Sequence, residues 1–129
     1  MDDDPTYTVD EARALLPLIR GSLLQLAVER RRADDAHDAL HHRLRGAGNG
    51  RPEEQARLEA ATAELRTRVR DLLDHLESLG VVVRDLDAGL VDIPTLRHGE
   101  PAWLCWRLSD PELGYWHTTR EGFSTRQPL

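Results

Sequence analysis

The chain has 129 residues, enough for one domain around one hydrophobic core and too few for two of ordinary size. All 17 of its basic residues are Arg, set against 23 acids for a formal net charge of -6. The stretch up to Gly80 holds 12 Arg against 16 acids and the remainder 5 against 7, so neither part carries the clustered positive field that a phosphate backbone demands, and nucleic-acid binding is not expected.

The acidic start, Met1-Asp2-Asp3-Asp4-Pro5, lacks the basic and apolar pattern of an export signal. Apolar runs are too short to span a bilayer. A single Cys allows no internal disulfide and suits a reducing compartment, so the expectation is a cytoplasmic protein without a membrane partner. Thr8-Val9-Asp10-Glu11 has the capping-box spacing and predicts a helix start. From Leu16 a seam follows through Ile19, Leu23, Leu26, Arg30, Ala33, His37, Leu40 and Leu44, in steps of three and four with two polar interruptions. Pro17 predicts a kink or break near Leu16, because it lacks an amide hydrogen and crowds the preceding turn. The segment Gly46-Ala47-Gly48-Asn49-Gly50-Arg51-Pro52 reads as a loop, and a second helix is expected from about Pro52 to Leu79, closed by Gly80. Its stripe is Leu58, Ala61, Leu65, Val69, Leu72, Leu76 and Leu79.

Two long helices joined by a short loop fold back as an antiparallel hairpin. Such a pair leaves apolar edges exposed, so a homodimer is the expected partner state. After Gly80 the period shortens. Val81 to Arg84, Leu90 to Ile93, Ala102 to Leu108 and Gly114 to Thr118 read as strands, parted by Asp87-Ala88-Gly89, His98-Gly99-Glu100-Pro101 and Asp110-Pro111-Glu112. The fold expected is therefore α+β and mostly α: one domain over residues 1–129, with a helical hairpin at 6–80 and a small antiparallel sheet and tail at 81–129.

Five of the six aromatics and the only Cys lie at or beyond Trp103. That concentration points to a ligand or partner surface walled by Trp103, Trp106, Trp116 and Phe123, with Arg107 and Arg126 as polar groups. Arg126 is expected to hold a carboxylate bidentately, with Asp85, Asp87 or Asp92 as the internal candidates. A three-residue turn at Asp110 to Glu112 would set Cys105 opposite His117, and a four-residue turn would set it opposite Trp116. In the first register the pair begins a soft metal site or an activated nucleophile, and Asp92 completes a Cys/His/carboxylate set for a divalent transition metal, acting in an enzyme or a carrier. The same residues also serve a structural reading, with Cys105 as a small buried hydrophobe and His117 hydrogen-bonded within the sheet. A second constellation, Asp34, His37, Asp38 and His41, shares one face of the first helix at di-metal spacing, but Asp is one methylene shorter than the usual Glu and the segment lies near the loop end, so a solvated face is the better reading.

Thr8-Val9-Asp10-Glu11-Ala12, Leu15-Leu16-Pro17, Gly89-Leu90-Val91-Asp92, Cys105-Trp106-Arg107-Leu108, Trp116-His117 and Gly122-Phe123 with Arg126 together resemble a bacterial family of unknown function, numbered 2203. The resemblance runs from about Tyr7 to Leu129. It implies that Asp92, Cys105, Trp106, Trp116, His117, Gly122, Phe123 and Arg126 belong to one C-terminal module, and it implies no activity. Thr118 departs from the family's pattern, in which an acid often follows the His.

Overall fold

A computed structural model describes residues 4–46 and 51–129. Of the loop predicted over Gly46 to Pro52, residues 47–50 lie outside the described residues. Two helices, α1 (Val9–Arg45) and α2 (Pro52–Ser78), pack against each other and precede five strands: β1 (Val82–Asp85), β2 (Leu90–Arg97), β3 (Glu100–Arg107), β4 (Tyr115–Thr118) and β5 (Gln127–Pro128). No helix among the described residues is long and apolar enough to cross a membrane. The chain forms two compact units, residues 24–73 and the remainder.

The start of α1 is fixed as its sequence predicts. The Thr8 amide donates to Glu11 Oε1 at 2.9 Å, and the Glu11 amide donates to Thr8 Oγ1 at 3.1 Å. Pro17, however, does not break the helix. It lies on the exposed side, where the carbonyl it leaves without an intrahelical partner remains open to water.

In the unit of residues 24–73 the seam is more polar than its periodicity predicts. Leu26 and Ala33 are buried, but the buried charge is Glu29 rather than Arg30, and His37 is exposed with its Nδ1 accepting from Arg66 at 3.0 Å. Glu29 meets Arg32 at 3.5 Å and Arg68 at 3.8 Å. On α2 it is Thr62, not Ala61, that turns inward, and its hydroxyl donates to the Leu58 carbonyl at 2.8 Å, which removes the cost of burying it.

The other unit holds the sheet, whose strands run in chain order, each antiparallel to the next. Val91, Ile93, Leu104 and Trp106 share one face with Trp116. Arg20 of α1 lies over Trp106, which makes this the face that the helix covers. Ala12, Leu16, Ile19, Leu23, Leu76, Val81, Ala102 and Leu113 are further buried apolar residues of this unit. Asp92, Trp103, Cys105, Tyr115 and His117 point to the opposite face.

Strands β2 and β3 run longer than the turn residues predict. Only His98 and Gly99 separate them, both at positive φ (53° and 79°), the conformation that a two-residue hairpin turn needs. Pro94 is tolerated because β1 pairs no further along β2 than Asp92. There the Pro94 carbonyl accepts the Tyr7 amide at 2.8 Å, while Thr95 Oγ1 donates to the Tyr7 carbonyl at 2.6 Å. Gly89 sits at φ +63, and a Cβ there would meet Leu108 at 2.5 Å, so this turn admits glycine alone.

Candidate functional site

Neither turn length expected between β3 and β4 occurs. Cys105 pairs with Tyr115, and His117 pairs with Trp103. The connection is longer because Asp110 closes a turn of its own, with its amide donating to the Arg107 carbonyl at 2.8 Å, and because Leu113 is drawn into the core. Cys105 and His117 are nevertheless diagonal neighbours on one face, a separation that a long side chain spans. Asp92 lies directly opposite Cys105 on β2.

The imidazole reaches across β3. Its Nε2 stands 2.9 Å from Asp92 Oδ1. Among the described residues, Asp92, Cys105 and His117 form the one set of three metal-ligating side chains, their ligand atoms all within 4.8 Å of one another and all three residues buried. The helix-borne alternative does not gather in this way: the His37 and His41 rings stack at 6.2 Å, and His37 is engaged by Arg66.

The partners around the set orient each member. His117 Nδ1 lies 2.8 Å from the Thr118 carbonyl, which only accepts, so Nδ1 carries the proton and Nε2 is turned toward Asp92. Without a metal, one further proton must lie between Nε2 and Oδ1, since two lone pairs would repel. The second Asp92 oxygen, Oδ2, accepts from Arg84 Nε at 2.8 Å. Burial pushes the Cys105 thiol up to about 11, the Asp92 charge adds to that rise, and Arg126 opposes it. A thiol this reluctant to ionise is no activated nucleophile at neutral pH. That leaves the metal and structural readings of the cluster.

The Trp-walled surface expected from the sequence is absent. Strand alternation sends Trp103 to one face and Trp106 and Trp116 to the other, and no ring of the three stacks on another. Each instead carries a guanidinium: Arg84 over Trp103, Arg20 over Trp106 and Arg97 over Trp116, at 4.5 to 5.2 Å. Phe123 lies against Arg107 and Arg126 at 4.7 and 4.3 Å.

Arg126 does make the expected two-toothed contact with a carboxylate, but its partner is Asp110, at 2.8 and 3.3 Å, rather than Asp85, Asp87 or Asp92. Asp85 caps its own turn through the Asp87 and Ala88 amides, and Asp92 is held by Arg84. Arg126 holds the Asp110 carboxyl below its usual range, and Asp110 raises Arg126 in return. This clip fastens the C-terminal segment over the Cys105 face of the sheet, with Arg126 over the Tyr115 ring at 3.9 Å. Beside it, a cavity of about 390 Å³ reaches Asp92 between Arg84, Leu90, Glu121, Gly122 and Phe123.

A family model described as uncharacterized conserved protein (DUF2203) matches residues 5–129. The chain belongs to that family. No curated protein and no solved structure matches it. Membership of this family carries no activity with it. Arg84, which holds Asp92, and Asp110, which holds Arg126, are the neighbours of the cluster that the sequence does not single out. Arg84 lies in a stretch read only as strand and Asp110 in one read only as turn; which acid faces which Arg is decided by register.

Proposed function

We propose that the chain is a metal-binding protein whose sheet holds one divalent transition metal of the zinc class through Asp92 Oδ1, Cys105 Sγ and His117 Nε2. The observation that carries this reading is the convergence of three ligand types from three adjacent strands, together with a hydrogen-bond partner behind two of them. A ligating His commonly donates its second nitrogen to a carbonyl, as His117 does to Thr118, and a ligating carboxylate is commonly steadied on its other oxygen, as Asp92 is by Arg84.

Tetrahedral coordination at the usual bond lengths needs ligand atoms about 3.3–3.8 Å apart. The Nε2 to Oδ1 contact at 2.9 Å would open slightly, and the wider separations, up to 4.8 Å, would close. Binding of a metal would displace two protons, the Cys105 thiol proton that burial otherwise retains and the one between Nε2 and Oδ1, and its two positive charges would balance Asp92 and the thiolate. It would supply Lewis acidity at this face. A metal thiolate and a lone buried Cys both suit a reducing compartment, which supports a cytoplasmic location.

The test is metal analysis of protein purified without a histidine tag and then offered Zn²⁺ or Co²⁺. One metal per chain is expected in the parent and in His37→Ala, with a loss in Cys105→Ala and in His117→Ala. A folded parent that retains neither metal overturns the proposal and leaves the cluster a structural network.

A further inference from the structure

Three protein ligands leave a tetrahedral ion one position short, and open positions are the mark of sites that bind or transform something. Asp92 is the one member of the set that lines the 390 Å³ cavity, which makes that cavity the route by which a fourth ligand would reach such an ion. The cavity wall is mixed. Leu90 and Phe123 are apolar, and the Arg84 guanidinium is about half exposed beyond its bond to Asp92. A guanidinium pairs with planar carboxylates in two-pronged fashion, and its size puts the cavity at the small end of ligand pockets, which run from about 300 to 1,000 Å³. Glu121 is the opposing charge at the rim. It accepts from the Thr118 hydroxyl at 3.1 Å and remains exposed.

We infer that this cavity admits a small organic monocarboxylate, its charged end drawn to the open position and Arg84 and its apolar end lodged between Leu90 and Phe123. This inference rests on the metal reading of the same site. It makes the centre one of exchange rather than a closed structural staple, and it assigns the ligand class that the fold alone does not.

Gly122 provides the test, because it lies in the cavity wall in extended backbone (φ -150°) and a Cβ there meets nothing within 4 Å. Gly122→Phe should fill the space without touching a metal ligand, and Gly122→Leu should fill part of it. Butyrate is titrated into the Co²⁺-loaded protein while the visible spectrum of the metal is followed. The parent spectrum should shift saturably. Gly122→Phe should bind a full complement of cobalt yet lose at least about tenfold in butyrate affinity, with Gly122→Leu between the two. Glu121→Gln should bind butyrate about threefold more tightly, because a like charge has gone. A cobalt-loaded parent whose spectrum ignores butyrate, a Gly122→Phe variant that binds as the parent does, or a Glu121→Gln variant that binds more weakly each overturns the inference while leaving the metal reading standing. A parent that takes up no cobalt overturns both.

Discussion

At the scale of single residues, Cys105 is tightly constrained. It is 1% exposed, lies opposite Asp92, and has its thiol proton held by burial and by a neighbouring negative charge. Because the thiol is pushed up to about 11, the reactive thiolate is scarce in the metal-free protein at neutral and mildly alkaline pH. The native protein should therefore leave an aromatic disulfide reagent at pH 8 unreduced over minutes, and the full thiol should react once urea unfolds the chain. Rapid labelling of the folded protein would show that the strand face opens readily. Asp92 is constrained differently. It serves Arg84 and His117 at once, so the carboxylate is compensated on both oxygens, the condition under which a buried charge is tolerated.

At the scale of elements, Asp110 ties the β3–β4 turn to the C-terminal segment. Its carboxylate accepts the Arg107 amide and both arms of Arg126. Its folded carboxyl is held down chiefly by Arg126, so this contribution to stability is fully present above the ordinary carboxylate range and is lost as pH falls through the lowered value. Asp110→Asn should cost about 1–3 kcal/mol at pH 7 in urea denaturation and should flatten the acid limb of the stability profile. An unchanged acid limb would assign that limb to other carboxylates. The elements themselves were legible wherever local chemistry decides them: the Thr8 and Glu11 box, the stop at Gly80 and the turn glycines at 89 and 99. Pairing was less legible, because the burial of Leu113 and the closure of a turn by Asp110 are tertiary choices that shift the β3–β4 register. The cluster of Asp92, Cys105 and His117 could be anticipated from one of the two registers left open, since period-two alternation places all three on one face in the observed register as in that of the three-residue turn, whereas the four-residue turn would have parted Cys105 from His117. The two polar seam residues failed for the converse reason. Arg30 and Glu29 are adjacent, and a helical period does not say which of two neighbours the packing draws inward.

At the scale of the whole molecule, the unit of residues 24–73 is short of fully buried apolar side chains. Leu40, Leu58, Leu65, Val69 and Leu72 are half-buried, while Leu24, Val28 and Leu44 are each about half exposed. We propose that a second copy covers this unit. Sedimentation equilibrium should then show a dimer that Leu24→Arg or Val28→Glu dissociates, and amide protection across residues 24–73 should rise with protein concentration. A monomer at every concentration, with unchanged exchange, would end that idea. The sheet unit has a different logic, since its strands stand in chain order and each pairs with the one before it. The three members of the cluster are separated by only about a dozen residues at each step, so short loop closures bring them together and the entropy lost in each is small. A meander of this kind forms quickly for a sheet, and an ion captured by its second, third and fourth strands would act as a folding nucleus as well as a prosthetic group.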